Sequence, residues 1–345
     1  MSIRIGIIGT GWGARVQVPA FRAAGLEVGA VAGSDAAKTA RIAGELNVGV
    51  HTADWRALLR RDDIDLVSIV TPPVLHREMA VAALEAGKHV LCEKPTALDV
   101  LEAEVMLAAA QAQPQALALI DHELRFLPAL RMARQLIGEG AIGRPRHAEV
   151  RMISSGRADP SRPWNWWADA TQGGGSLGAI GSHQTDLLRY LLRDEVTTAT
   201  GAINTFVETR PAADGAQRAV TADDFATAVL CFSQGVVATI TASGVTRRNE
   251  PNSLTIYGSE GTLRFVEGRL LVAAPDAEFA DRTPEHTATF PEGISGDFPQ
   301  GTVYLGLALK SYFAGDATAI TPAATFADGL AVQRVLDSIR GLPTA

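Results

Sequence analysis

Two unlike folding units are what this 345-residue sequence predicts: an N-terminal α/β unit on a doubly wound parallel sheet, then an α+β unit with a largely antiparallel open sheet. Three observations carry the expectation. Short β-rich runs alternate with stretches of helical periodicity as far as Asp121, as successive βαβ units require. A glycine-rich turn directly follows the first of those runs. Beyond Asp121 the rhythm changes to strands at hairpin spacing. Length agrees, because single cores stop growing at roughly 250–300 residues. The division is expected at residue 121, giving domains 1–121 and 122–345.

The strands of the first domain are expected at Ile3–Ile8, Leu26–Ala32, Ile64–Val70, His89–Cys92 and Ala116–Ile120, with Val48–His51 a weaker one. Between them Arg15–Ala24, Ala36–Leu46, Leu75–Ala86 and Asp99–Ala112 carry apolar residues at helical spacing. After Asp121 a helix at Pro128–Ile137 leads to a strand at Arg146–Ile153, a Trp-rich irregular stretch and a helix at Gly178–Leu192. Strands dominate from about 197 to 273, with Ser233-Gln234-Gly235 and Gly258-Ser259-Glu260-Gly261 as hairpin turns. Val303–Phe313 and Ala327–Ile339 read as closing helices. In Phe225–Phe232 both alternating sets are apolar or small, so both faces of that sheet should be covered. Helices account for one face; another subunit or the 275–300 loop is the candidate for the other.

Composition narrows the functional classes. Apolar residues make up 47% and charged residues 20%, with 31 basic against 38 acidic side chains and a net charge of −7. A general phosphate-backbone binder would show the opposite balance, so nucleic acid is not an expected partner. The two cysteines, Cys92 and Cys231, are too few for a disulfide framework. No apolar run approaches the roughly 20 residues that span a bilayer. Arg4 and the glycines interrupt the first apolar run before it could serve as a signal peptide. A soluble, cytoplasmic protein is the expectation. Asp121, His122 and Glu123 are adjacent and no His/Cys set completes them, so no metal is expected.

The turn Gly9-Thr10-Gly11-Trp12-Gly13-Ala14 fits G-x-G-x-x-[GA] between a strand and a helix. That chemistry needs a tight turn at Gly9, backbone exposed to a pyrophosphate at Gly11, and amides at a helix start facing the charge. The first domain therefore reads as an NAD- or NADP-binding Rossmann domain. At the tip of the second strand stands Ala32-Gly33-Ser34-Asp35. No acid occupies the position that usually accepts from the ribose hydroxyls, which lessens repulsion of a 2′-phosphate, and Ser34 can donate to one. Asp35 reads equally well as the cap of the next helix. NAD and NADP both stay open.

Thr71-Pro72-Pro73 and Glu93-Lys94-Pro95 follow strands, at the carboxyl ends where ligands bind in open α/β sheets. Lys94 is thereby placed to hold a substrate hydroxyl oxygen beside a nicotinamide. His76 opens a helix near the same ligand. His183 and Asp186 stand at i and i+3 on one helix, after the run Gly173-Gly174-Gly175 that would allow close approach. A histidine there can take a hydroxyl proton as hydride leaves.

Thr71-Pro72-Pro73, the segment from Ala82 through Glu93-Lys94-Pro95, and Gly173-Gly174-Gly175 with Gly181, His183 and Asp186 together resemble the Gfo/Idh/MocA oxidoreductases, the glucose–fructose oxidoreductase and inositol dehydrogenase family. The likeness runs through nearly the whole chain in order. It implies a nicotinamide-dependent dehydrogenase or reductase acting on sugars, cyclitols or related polyols. On that pattern Lys94 is the catalytic lysine, His183 the catalytic histidine and Asp186 a substrate-binding acid. Arg125, in Arg125-Phe126-Leu127-Pro128, matches the family's Arg-Phe-x-Pro segment and is a candidate substrate contact. Trp164, Trp166 and Trp167 crowd the loop before the glycine run, where tryptophan faces suit sugar C–H surfaces; Trp164 is the candidate named. Together the cofactor contacts are expected from Gly9, Thr10, Gly11, Trp12, Gly13, Ser34, Thr71, Pro72, His76, Glu93 and Lys94. The family often has an acid four residues before the histidine; here that position is Ala179. Either Lys94, His183 and Asp186 suffice, or the protein senses NAD(P) or a sugar with little turnover. A homodimer or homotetramer through the C-terminal sheet is the expected assembly.

Overall fold

The computed structural model describes residues 3–342. Two compact units emerge. The first takes the chain up to Ala97, then Leu101–Leu127 and His286–Leu330; the second takes Leu98–Val100, Pro128–Glu285 and the chain from Ala331 on. The single boundary of the sequence reading follows chain order, but the compact units do not. Residues 286–330 return to the first unit for a physical reason. Val16 and Ala20 carry an apolar face that is closed by Ile294 and Val303, with Phe290 and Leu307 packed around them.

In the first unit the strands β1 Arg4–Ile8, β2 Glu27–Ala32, β3 Val50–Thr52, β4 Leu66–Ile69, β5 His89–Cys92 and β6 Ala118–Ile120 form one sheet. Its order is β6-β5-β4-β1-β2-β3, all parallel, with the two-residue strand Ala324–Thr325 antiparallel on the β6 edge. Ile5, Ile7, Leu66, Val67, Ile69, Val90 and Leu91 have no exposed surface, as expected of strands buried on both faces. Register decides what the sheet presents. Ala32, Ile8, Ile69, Cys92 and Ile120 are successive partners across five strands. Gly33, Gly9, Val70, Glu93 and Asp121 therefore leave the sheet at one level. The strand order reverses at β1, the topological switch point where such sheets bind ligands.

The helices α1 Val18–Ala23, α2 Ala36–Glu45, α4 His76–Glu85 and α5 Val100–Ala112 fall close to expectation, and a short α3 at Trp55–Leu59 was not foreseen. Asp54 starts α3 by accepting from the Arg56 amide at 2.9 Å. The first helical stretch opens in π form over Gly13–Gln17, ahead of α1.

The second unit holds an eight-stranded sheet of order β16-β15-β14-β13-β7-β12-β11-β8. These are β7 Pro145–Ile153, β8 Val196–Asn204, β11 Phe225–Phe232, β12 Val237–Ser243, β13 Ser253–Gly258, β14 Thr262–Val266, β15 Arg269–Ala273 and β16 Ala280–Asp281; β9 Thr209–Pro211 and β10 Gln217–Ala219 make a separate hairpin. Only β7 and β12 run parallel. The helices α6 Pro128–Gly138 and α7 Ser182–Leu192 belong to this unit, as does the chain from Ala331 on in the closing helix Phe326–Arg340. Along β11, Ala226, Ala228, Leu230 and Phe232 are buried, while Val229 is 43% exposed. Val237 on β12, paired with Cys231, is similarly open on the same face. Residues 275–285 do not cover this face, because β16 extends the sheet at its far edge by pairing with β15. Among the described residues no helix is long and apolar enough to cross a membrane.

Candidate active site

The glycine turn of the first unit is built for close approach. Gly9 has φ +132°, and a Cβ there would lie 2.2 Å from the Val70 carbonyl oxygen, so only glycine fits. A Cβ on Gly11 would meet nothing within 4 Å. Gly11 is exposed, and the backbone there is open to a ligand. These two positions fit a dinucleotide pyrophosphate at the start of the helical stretch. Gly13 faces the other way: it is buried, and a Cβ would press on Ile7 Cγ2 at 2.8 Å. It is Gly13, rather than Ala14 alone, that lets helix and strand approach. The partly exposed Trp12 packs against the cluster of Val16, Ile294 and Val303.

The missing acid at the tip of β2 has a steric reason. A Cβ on Gly33 would fall 2.5 Å from Thr39 Oγ1 and 2.7 Å from Thr10 Cγ2. Ser34 is exposed. Asp35 caps α2, its Oδ1 accepting from the Lys38 amide at 2.9 Å.

Thr71 and Pro72 are half-buried at the end of β4. His76 has no exposed surface; Nδ1 lies 3.0 Å from the Pro95 carbonyl and Nε2 2.9 Å from that of Thr71. It ties the turn after β4 to the turn after β5, and so acts on Lys94's loop from beneath. Burial holds its pKa below the usual imidazole value, opposed by the carbonyls.

Behind this row of turns lies a polar network that sequence reasoning missed. Gln17, wholly buried at the end of the π turn, accepts from Ser68 Oγ at 2.6 Å. Its Nε2 donates to Asp121 Oδ2 at 2.9 Å and to Glu93 Oε1 at 3.3 Å. Burial raises the pKa of Asp121 well above the carboxylate range, and the charge of Glu93 raises it further. Glu93 is raised by burial, and Glu123 is raised by burial with Asp121 and Glu93 adding to it. Lys94 is half-buried, and its positive charge opposes the upward shift of all three acids. The signal for Gln17 was an amide on the apolar face of a short helix.

Arg125 is 6% exposed and donates to Asp328 Oδ1 at 3.1 Å and to the Pro322 carbonyl at 3.4 Å. The structure places it as a clamp on the segment 322–328 of its own unit.

In the second unit, His183 and Asp186 lie on α7, each 2% exposed. Ahead of α7 the chain runs in π form over Leu177–Gly181, with Ala179 buried in that turn. The second π segment mirrors the one at Gly13–Gln17; such turns often mark functional sites. Asp223, another missed residue, fixes the segment by accepting from the Leu177 amide at 2.7 Å, and its carbonyl accepts from the Ser176 amide at 2.9 Å. Gln184 donates to the Thr241 carbonyl of β12 at 2.8 Å. The glycine run serves this packing rather than an open approach: a Cβ on Gly174 would lie 2.5 Å from the Trp167 carbonyl, and one on Gly175 2.3 Å from Asp223 Oδ1. Trp164 is turned to the β9–β10 hairpin. Its indole N–H donates to the Ala219 carbonyl at 3.0 Å, and Arg218 covers its ring at 3.6 Å. Trp167 is stacked by Arg157 at 3.7 Å.

Comparison with known proteins agrees with both units. Residues 3–120 match the model of an oxidoreductase family with an NAD-binding Rossmann fold, and residues 130–264 match the GFO/IDH/MocA C-terminal domain. Glucose-fructose oxidoreductase domain-containing protein 2 of Bos taurus is 34% identical over 97% of this chain and 90% of its own length. An oxidoreductase domain protein from Kribbella flavida superposes with a TM-score of 0.88 at 32% identity, over 99% of this chain and 97% of that one. Levoglucosan dehydrogenase, solved with NADH and levoglucosan, gives 0.88 at 26% identity over the same shares. The chain belongs to the Gfo/Idh/MocA oxidoreductases, with an NAD-binding Rossmann fold in its N-terminal part.

Proposed function

We propose that the protein is an NAD(P)-dependent dehydrogenase or reductase acting on a CH–OH carbon of a sugar, cyclitol or related polyol. One observation carries the reading most strongly. The level register of Ala32, Ile8, Ile69, Cys92 and Ile120 brings the glycine turn and Lys94 off one edge of one sheet. The likeness to levoglucosan dehydrogenase supports a sugar as substrate.

Gly9, Thr10 and Gly11 present the backbone to the pyrophosphate, and Ser34 with Thr71 and Pro72 border the same dinucleotide. A bound nicotinamide supplies the two-electron acceptor or donor. Lys94 holds the substrate hydroxyl oxygen and favours its loss of a proton, while His183 takes that proton as the carbonyl forms. Asp186 orients the substrate or the imidazole. Glu93 and His76 set the position of Lys94. Replacing Lys94 by Ala is expected to lower kcat by about 10²–10⁴-fold with NADH affinity retained. Undiminished turnover across a polyol and sugar panel would sink the mechanism.

Ala179, where related proteins often have an acid, favours a second reading: a sensor that binds NAD(H) or a sugar without turning it over. Tight NADH binding with no oxidation of any panel member decides for it. The exposed Val229 and Val237, which share a face by register, support a homodimer or homotetramer through the outer face of the β8–β11–β12 part of the sheet. Val229→Glu should then lower the mass measured by light scattering to that of a smaller assembly.

A further inference from the structure

The loop after β7 holds a guanidinium that no described residue neutralises. Arg157 is half-buried, its amide donating to the Gly244 carbonyl at 2.7 Å. Its guanidinium lies on the Trp167 ring, 3.7 Å from the centroid. The charged groups that face it, Arg162 and Arg210, share its sign, and with burial as the main cause its pKa is pushed down to about 10. Arg210, 3% exposed, donates to the carbonyls of Arg157 at 2.6 Å and Asp159 at 2.7 Å, so the loop is folded around a buried cation. Asp159, the acid of this loop, accepts from the Ser161 amide at 2.8 Å and hydroxyl at 2.7 Å. Its charge acts on Arg210 and Arg162, while no acid acts on Arg157.

Bringing three guanidiniums together while desolvating one costs free energy. An anion from outside offsets that cost. Stacking on Trp167 uses the face of the Arg157 plane and leaves its in-plane N–H fork for two oxygens of a carboxylate or phosphate. The position suits a substrate group. Trp167, under Arg157, has its carbonyl against Gly174, and Asp223 beside Gly175 anchors the segment that leads into His183.

We infer that Arg157, with Arg162 beside it, receives the anionic group of an acidic sugar or polyol, a carboxylate or a phosphate. The inference rests on the dehydrogenase reading and narrows its substrate class.

Calorimetric titration of the full chain with gluconate, glucose 6-phosphate and glucose tests it, with NADH titrated separately as a control of folding. At least one anionic ligand should bind about 10-fold or more tighter than glucose. Arg157→Gln should weaken that ligand by about 10–100-fold, the range of a charge-assisted hydrogen bond, with NADH affinity kept; Arg157→Lys should retain part of the loss. Preference for gluconate assigns a carboxylate and preference for glucose 6-phosphate a phosphoryl group. Equal affinities for all three ligands, or anion binding indifferent to Arg157→Gln, overturns the proposal. Turnover of neutral sugars without such a preference defeats it and leaves the dehydrogenase reading standing. Anion binding through Arg157 with no turnover does the reverse.

Discussion

In the N-terminal unit, Gln17, Ser68, Glu93 and Asp121 come from four different elements and hydrogen-bond to one another behind the row of strand ends. In the C-terminal unit, Arg210 and Arg162 reach only backbone carbonyls, and Arg157 reaches an aromatic face. Both regions bury charge beside a chain segment with a proposed catalytic residue, yet they do it in opposite ways. Hydrogen bonds between these buried side chains fix their geometry, although Asp121 Oδ1 has no partner among the described residues. Asp159 and Asp224 act on Arg210, but no described acid acts on Arg157, whose charge is matched only with an anion bound. The first region positions; the second receives.

The largest expected effect tests whether the first region is as rigid as that contrast requires. Gly9→Ala puts a Cβ on the Val70 carbonyl at a φ that L-residues avoid. It should destabilise by about 3 kcal/mol or more and abolish NADH binding with it. Gly11→Ala meets no atom within 4 Å. Its melting temperature should stay near wild type while NADH affinity falls about 10-fold or more, because the methyl group stands where the pyrophosphate approaches. If both variants lose stability equally, the turn is structural and not a cradle.

The next effect concerns pH. Burial raises Asp121, Glu93 and Glu123, so the folded chain keeps protons there that the unfolded chain releases near pH 4. Their stabilisation is full below about pH 4 and is lost as pH rises through the raised folded values. Asp121→Asn should therefore narrow the gap between melting temperatures at pH 5 and pH 8, by about 2–4 °C for each kcal/mol removed. Asp281, in the C-terminal unit, has the opposite sign. Hydrogen bonds from Thr283, with Arg269 adding to them, lower it to about 2. Its contribution is present above the ordinary carboxylate value and fades as pH falls toward 2. Asp281→Asn should leave the pH 5 to pH 8 gap untouched. An Asp121→Asn protein with the full wild-type gap would show that the buried acids are not protonated.

How much of this was legible beforehand differs between the two regions for physical reasons. The β1–turn–helix motif, the parallel sheet, Lys94 after β5 and the hairpins at Ser233–Gly235 and Gly258–Gly261 follow from local pattern, because periodicity and turn chemistry are encoded residue by residue. The return of 286–330 was not legible, since the apolar face of Val16 and Ala20 does not name the distant residues that cover it. Gln17 and Asp223 were missed because their partners are 51 to 104 and 46 residues away in sequence. The run Gly173–Gly175 was noticed for the wrong reason: its smallness serves the Trp167 and Asp223 contacts. Trp164 drew attention as a sugar platform, and both its N–H and one face are engaged by the β9–β10 hairpin.

The smallest effect returns to the tip of β2, where cap and ligand roles of one carboxylate can be separated. Asp35 Oδ1 accepts from the Lys38 amide, so Asp35→Ala should cost about 1 kcal/mol through the lost cap. Asp35→Ser restores a capping oxygen without the charge. If Asp35 only caps, Asp35→Ser recovers stability and the ratio of NADH to NADPH affinities is the same in all three proteins. If it also meets the ribose, both substitutions shift that ratio toward NADPH, by an amount unrelated to their stability. A Cβ on Gly33 would crowd Thr10 and Thr39, so Asp35 is the acid that follows this strand end in sequence, which gives the two outcomes their force.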